Sequence, residues 1–303
     1  MPDCRATSRR LDSMPNWKAI ATAYSELGID ASRPIDARAV GGGDISAAWR
    51  IDTDNGPVFI KTASASAFDM LEAEADGLAE LAVPEAIRVP QVLCCGCTEH
   101  DAFLALEWVR FNRPDTDTEK HMGEQLAQLH RHTAERFGWH RDNTIGLTLQ
   151  RNARSADWVE FFREHRLLFQ LRLAREHGHS GELQKLGKAL APRLSSLFSG
   201  YQPVASLLHG DLWGGNWGSA NGVPVIFDPA VYYGDRESDI AMTKLFGGFG
   251  RPFYEAYESR WPLAEGHAQR LKLYQLYHVL NHLNLFGRSY LGRATGLMRE
   301  LLD

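Results

Sequence analysis

"LLHGDLWGGNWG", residues 207–218, sets Asp211 directly after His-Gly and Asn216 five residues later, among four glycines and two tryptophans. A segment this rich in glycine is poor packing material, so the two polar side chains at a fixed interval point to a loop shaped for chemistry. Twelve residues beyond Asn216, at the end of the apolar run "PVIF", comes Asp228, followed by Pro229-Ala230. Two carboxylates and one amide in this order match the needs of phosphoryl transfer. The acceptor hydroxyl needs a carboxylate to orient it and take its proton, and the phosphates need a divalent cation held by oxygen ligands. Asp211 suits the first task. Asn216 and Asp228 suit the second, with Mg2+ as the hard ion such ligands take. Gly214 and Gly215 are expected to turn the loop tightly enough to bring Asn216 back toward the metal.

Working upstream, "VGGGDISAAW" places Gly41, Gly42 and Gly43 between two extended runs, where backbone amides approach phosphates without side-chain obstruction. A glycine triplet alone reads equally as a plain hairpin. Lys61 changes the balance, because among the seven lysines it alone follows a strongly apolar strand run, "VFIK". An ammonium at the end of a buried strand needs a counter-charge. Glu74, on the inner stripe of the following helix with Leu71 and Leu78, is the expected partner, whereas Glu72 points to the flank.

The pattern along the chain predicts an α+β fold in two lobes. Residues 1–14 form an N-terminal tail. Residues 15–108 comprise a helix from Pro15 stopped at Gly28, five antiparallel strands with a hairpin turn at Asp54-Asn55-Gly56, and one crossing helix over 67–82. Residues 109–303 turn to long helices around 117–136, 155–177, 180–198 and from 265 to the end, with short strands near "VASLLHG" and "PVIFD". The hinge falls at about 107–111, and a cleft between the lobes is the expected ligand site.

With 44% hydrophobic and 23% charged residues in 303, the chain has an ordinary globular composition. A net charge of -5 argues against general affinity for nucleic acid, and no apolar run approaches the length of a membrane span. A cytoplasmic monomer without nucleic-acid or membrane partners is expected. "CCGC" (Cys94, Cys95, Cys97) lacks paired-chelate spacing and reads as a reduced strand rather than a metal site.

This order of parts resembles the protein-kinase-like fold in its small-molecule branch, which includes aminoglycoside phosphotransferases and choline kinases. More specifically, "GDLWGGNWG", "FDPAVYYGDRESDIAM", "LFGGF", "FGWHRDNTIGLTLQRN", "DWVEFFREHRL" and "YHVLNHLNLFG" make the chain similar to the fructosamine kinase (ketosamine-3-kinase) family from about Pro15 to the C-terminus. The resemblance implies a small five-stranded lobe with one crossing helix plus a larger helical lobe. It also implies ATP-dependent phosphorylation of the 3-hydroxyl of a small or protein-bound ketosamine, which leads to deglycation. Carried over by position, Lys61 and Glu74 anchor the phosphates, and the backbone at Glu107, Trp108 and Val109 meets adenine. Asp211 is the base, Asn216 and Asp228 hold Mg2+, and Asp239 braces the catalytic loop. Asp44 departs from relatives that carry a cysteine or small residue in the glycine-rich lid. For the substrate wall, Trp213 and Trp217 beside the loop and Asn281 and His282 on a late helix are candidates, with core bracing as the competing role for each tryptophan. Two other functions fit the same parts: a kinase of another hydroxylated amine, such as an aminoglycoside or choline, and a nucleotide-binding pseudokinase.

Overall fold

The computed structural model describes residues 14–30, 32, 35–41 and 46–303. They form two compact units: Met1–Ala79 with Pro90–Arg110, as far as described, and Glu80–Val89 with Phe111–Asp303.

The first unit holds α1 (Trp17–Ala23), β1 (Ala37–Ala39), β2 (Ala47–Thr53), β3 (Gly56–Ser64), α2 (Phe68–Ala82) as far as Ala79, β4 (Val92–Cys97) and β5 (Asp101–Glu107). Its five strands pair antiparallel in the order β1-β2-β3-β5-β4. Alternation along β3 sends Val58 and Ile60 to one face of the sheet, where they pack with Ile51, Phe103, Trp17 and Ile20. Lys61 therefore belongs to the opposite face. α1 starts where the Asn16 side chain accepts from the Ala19 amide (3.1 Å). It ends earlier than the periodicity predicts. A separate 3-10 turn, Ser25–Leu27, follows, and Gly28 closes it at φ 66°.

The second unit runs α3 (Thr116–His130), β6 (Thr133–Ala134), the hairpin β7 (Asn143–Ile145) and β8 (Thr148–Gln150), α4 (Trp158–Phe162), α5 (Leu168–Glu176), α6 (Glu182–Leu190) and α7 (Leu194–Leu197). After these come β9 (Ala205–Leu208), β10 (Trp217–Ala220), β11 (Val223–Ile226), β12 (Tyr232–Gly234), α8 (Glu237–Leu245), α9 (Arg251–Arg260), α10 (His267–Phe286) and α11 (Leu291–Leu302). Its core is aromatic around Trp158, whose ring meets Phe137, Phe161, Phe162, Tyr232 and Tyr274, and whose Nε1 donates to the Tyr274 hydroxyl (2.9 Å). Among the described residues no helix is long and apolar enough to cross a membrane.

Several expected helices are shorter or divided. α3 stops at His130 because the chain must turn into β6, which pairs with β9. The helix expected over 155–177 passes through a π turn at Arg163–Leu167, and the helix expected over 180–198 is divided by a 3-10 turn at Ala191–Arg193. The terminal helix breaks at Gly287, whose φ 87° and ψ −163° suit glycine alone. α8 and α9 are additional to the expected set. Eight of the nine residues of α8 are buried, so it shows no amphipathic stripe for a sequence pattern to detect.

Helices α3 and α9 meet closely at Gly123, where an added Cβ would run into the Phe253 carbonyl oxygen and lie 3.0 Å from the Tyr257 amide nitrogen. In α11, a Cβ on Gly296 would meet nothing within 4 Å. Gly123→Ala is expected to lower stability by about 1–3 kcal/mol. Gly296→Ala is expected to raise it by about 0.5–1 kcal/mol. Urea unfolding midpoints of the two variants should therefore move in opposite directions.

Candidate active site

The position of Asp211 follows from strand pairing. β9 and β12 are antiparallel, with Leu208 opposite Tyr232. The end of β9 thus lies beside the start of β12, so Asp211, three residues past β9, comes near Asp228, four residues before β12. The Ala230 amide donates to the His209 carbonyl (2.8 Å) and ties the two segments together.

A second hairpin explains the interval from Asn216 to Asp228. β10 and β11 pair with Trp217 opposite Ile226, joined through Asn221 (φ 54°) and Gly222 (φ 81°), the two left-handed residues of a tight hairpin turn. Asn216 and Phe227 face each other at its open end, and the Phe227 amide donates to the Asn216 carbonyl (3.0 Å). Asp228 follows at φ 57°, a left-handed conformation that costs a non-glycine residue on the order of 1 kcal/mol.

The Asn216 side chain sits among these groups. Its Nδ2 donates to the Asp211 carbonyl (2.9 Å), to Asp211 Oδ2 (3.3 Å) and to the Asp228 carbonyl (3.4 Å), so Oδ1 points away from all three. The low dielectric around Asp211, then the charges of Asp228 and Asp239, push its carboxyl up to about 7 against the Asn216 hydrogen bond. An outward amide oxygen beside two mutually repelling carboxylates is a donor set suited to a hard divalent cation. Among the described residues no three His, Cys, Asp or Glu gather as a metal-holding group, either here or at "CCGC". Such a set therefore suits Mg2+, which takes one or two carboxylates and fills its remaining positions with phosphate and water oxygens.

Asp239, on α8, holds the loop from below. It is buried, its Oδ2 accepts from the His209 amide (2.8 Å), and its Oδ1 accepts from the Gly210 amide (2.9 Å). His130 Nε2 donates to Oδ2 (3.2 Å), while His130 Nδ1 accepts from the Tyr257 hydroxyl (2.8 Å), which itself accepts from Arg236 (3.0 Å). Burial pushes the Asp239 carboxyl up, but the hydrogen bonds from His130 and Gly210 outweigh it and keep the group below its ordinary value. His209 is neutral because burial lowers its pKa. Its Nε2 donates to the Phe227 carbonyl (2.9 Å), leaving Nδ1 to accept from the Asp211 amide (3.2 Å).

Glycine serves the loop differently from the sequence expectation. Gly214 and Gly215 do not have positive φ, and their role is close approach. A Cβ on Gly214 would lie 2.7 Å from the Gly248 Cα, and one on Gly215 would enter the Trp213 ring.

In the first unit, Lys61 Nζ and Glu74 Oε1 form an ion pair at 2.6 Å, with side chains only 11% and 16% exposed. The Glu107 amide donates to the Gln91 carbonyl (2.9 Å), and Arg50 lies over the Trp108 ring at 5.1 Å. Val109 makes no main-chain hydrogen bond among the described residues, which leaves its amide and carbonyl available to a ligand edge. Gly41 is exposed. Gly42, Gly43 and Asp44 lie outside the described residues.

The four candidates for the substrate wall separate by environment. Trp213 is 41% exposed beside Asp211 and keeps an open ring. Trp217 is buried, stacked on Phe249 (5.2 Å) and bonded to the Gly248 carbonyl (3.2 Å), so it braces the loop. Asn281 is also buried, accepting from Gln170 (3.2 Å) and donating to the Ile145 carbonyl (3.3 Å), so both ends of its amide are bonded within the fold. His282 is half-buried against Phe246 and Tyr290, with Nδ1 bonded to the His278 carbonyl (2.8 Å). Sequence reasoning missed the His130–Tyr257–Arg236 support. A histidine at the end of a helix carries no local signal that it will meet a carboxylate 109 residues away.

With this geometry in place, comparison with known proteins is informative. The family model described as fructosamine kinase matches residues 16–303. A probable ketoamine kinase of Synechocystis is 41% identical over 294 residues, covering 96% of this chain and 99% of its own. The chloroplastic protein-ribulosamine 3-kinase of Arabidopsis thaliana is 39% identical over 267 residues, covering 87% of this chain and 81% of its own. A crystal structure from Haemophilus somnus, provisionally assigned as a fructosamine-3-kinase, superposes with a TM-score of 0.86 at 30% identity over 95% of this chain and 98% of its own. An ADP-bound aminoglycoside phosphotransferase, at TM-score 0.63 and 11% identity over 95% of this chain and 99% of its own, shares the protein-kinase-like α+β fold alone.

Asp235, Glu237 and Asp239 form an acidic trio that is wholly internal. Glu237 binds Arg270 through both carboxylate oxygens (2.8 and 2.9 Å), and Asp235 accepts from Tyr201 (2.8 Å) and Tyr274 (2.6 Å). Burial, then the charge of Glu237, push the Asp235 carboxyl up to about 6 from 3.8. The folded protein therefore retains a proton that the unfolded chain releases in this range. The corresponding stability is full below pH 3.8 and is lost as pH rises to about 6. Asp235→Asn should remove this dependence, so that the stability of the variant relative to the parent rises by roughly 1–3 kcal/mol from pH 4 to pH 7 in urea unfolding. Parallel profiles would refute the assignment.

Proposed function

This chain belongs to the fructosamine kinase family, and we propose that it transfers the γ-phosphoryl group of ATP to the 3-hydroxyl of a ketosamine, the adduct of a sugar with an amine. The observation that carries this reading is the arrangement of Asp211, Asn216 and Asp228 near one another, held by the β9–β12 pairing, the β10–β11 hairpin and the Asp239 brace.

Asp211 orients the acceptor hydroxyl and receives its proton, a task that suits a carboxyl raised to about 7. Asn216 Oδ1 and the Asp228 carboxylate hold Mg2+. Bound there, the ion offsets phosphate charge and the repulsion between Asp211 and Asp228. Lys61, fixed by Glu74, is the phosphate anchor of the first unit, and the open main chain at Val109, with Glu107 and Trp108, receives adenine. The glycine-rich segment with Gly41, Gly42 and Gly43 is assigned to the phosphates by its residue type and its place before Lys61. The exposed Trp213 ring beside Asp211 is the side chain best placed to stack against the sugar or its amine.

The product accounts for deglycation. A phosphate at C3 lies next to the C2 ketone. Enolisation toward C1 lets the nitrogen lone pair expel inorganic phosphate, and hydrolysis of the resulting iminium releases the amine. We place this activity in the cytoplasm, where both ATP and glycated amines occur, and in a monomer, since all the proposed site residues come from one chain. The buried acidic trio disfavours an aminoglycoside acceptor, because Asp235, Glu237 and Asp239 are all turned inward and offer no carboxylate lining for a polycation.

The test is phosphate transfer from Mg-ATP to ribulose-, erythrulose- and fructose-derived lysine beside an aminoglycoside and choline, with the product located by phosphorus NMR. A 3-phosphate is expected on a ketosamine, and transfer only to the other acceptors would overturn the substrate assignment. Asp211→Asn should lower kcat by roughly 10²–10⁴-fold while leaving nucleotide affinity within about 3-fold. Retention of full turnover in that variant would remove Asp211 from its role.

A further inference from the structure

The polar residues of "NTIGLTLQRN" take no part in the chemistry above, yet they converge on the backbone immediately after Asp228. Asn143, Gln150 and Asn152 are all buried. Gln150 Nε2 donates to the Ala230 carbonyl (3.0 Å) and to Asn143 Oδ1 (2.9 Å), and Asn143 Nδ2 donates to the Val231 carbonyl (2.8 Å).

Each amide is itself fixed from behind. Gln150 Oε1 accepts from the Tyr277 hydroxyl (2.8 Å), and Asn143 Oδ1 accepts a second bond from Asn152 Nδ2 (2.9 Å). Asn152 Oδ1 accepts from Arg166 Nη2 (2.8 Å). Arg166 is fully buried and forms no ion pair among the described residues. Its charge is held by the Arg151 carbonyl (2.6 Å) and by the faces of Tyr232 (4.2 Å) and Phe161 (4.8 Å). A buried cation engaged with neutral acceptors leaves the amide ladder oriented toward residues 230 and 231.

This ladder meets a particular need. Asp228 stands in a left-handed conformation at φ 57°, so the direction in which its carboxylate leaves the chain depends on the backbone that holds it there. The Ala230 amide is fixed by His209 and the two carbonyls that follow by Gln150 and Asn143. We propose that Gln150 and Asn143, backed by Tyr277, Asn152 and Arg166, are positioning residues that set the divalent-cation affinity of Asp228 through the Ala230–Val231 backbone. The inference rests on the reading of Asp228 as a metal-holding carboxylate.

The test is Mn2+ binding to the whole protein in the presence of ADP, followed by electron paramagnetic resonance and independent of turnover. Gln150→Met keeps the length of the side chain and removes the amide, both its Nε2 donor and its Oε1 acceptor; it is expected to weaken Mn2+ roughly 10-fold, in the range found for residues behind metal ligands. Leu147→Ser, at a 63% exposed position of the same hairpin, should leave the affinity unchanged. Asp228→Asn separates the two levels. If it weakens Mn2+ while Gln150→Met binds as the parent does, the positioning role is wrong and the metal assignment stands. Parent-like binding by Asp228→Asn overturns both. Should Gln150→Met not fold, Tyr277→Phe keeps the ring and releases the hydroxyl's bond to Gln150 Oε1 together with its hydrogen bond to Gln170; it is expected to weaken Mn2+ about 3-fold, and an unchanged affinity would equally overturn the proposal.

Discussion

A buried carboxylate under a loop is the constraint on which the second unit depends. Asp239 is almost inaccessible and accepts from the amides of His209 and Gly210, the two residues that precede Asp211. A charge in that position is costly unless its acceptor sites are filled. Filling them requires His130 at the end of α3, Tyr257 on α9 and Arg236 at the start of α8. One carboxylate thus links three helices to two consecutive amides, and the direction in which Asp211 leaves β9 follows from that link.

The remaining geometry is a matter of register. The β10–β11 hairpin brings Asn216 opposite Phe227, and the β9–β12 pairing brings the Asp211 loop beside residues 228–231. Slippage by one residue in either pair would turn the side chains to the other face. The two left-handed residues of the Asn221-Gly222 turn, the Cβ-free contact of Gly214 with Gly248 and the amide ladder behind Ala230 all act against such slippage. Rigid support of this kind is required where a proton acceptor and an ion site must hold relative positions to within a fraction of an ångström.

Much of this was legible in the chain. The strands of the first unit read as short extended or apolar runs between turn signals, and Lys61 with Glu74 is conspicuous because a cation closes an apolar run and an acid lies on the inner stripe of the next helix. "SANGVP" also carried a hairpin signal in its Asn-Gly pair, although the reading passed over β10. Other features left no such trace. α8 is buried on all sides and has no periodicity to read, while β7 and β8 are three residues each, too short to show alternation.

The amino-acid sequence by itself determined the chemical identity and interval of Asp211, Asn216 and Asp228, the short extended runs and turns of the first sheet, and the family. Only the tertiary structure decided which polar groups remain available. Asn281 looked like a candidate for the sugar site, but Gln170, 111 residues earlier, occupies its oxygen, and the Ile145 carbonyl takes its amide hydrogen. Glu237, a charged residue by type, is fully enclosed and held by Arg270 through both carboxylate oxygens. The physical reason is that a side chain's chemistry is set by its residue type, whereas its freedom to act depends on whether another group, brought from far along the chain, has already satisfied it.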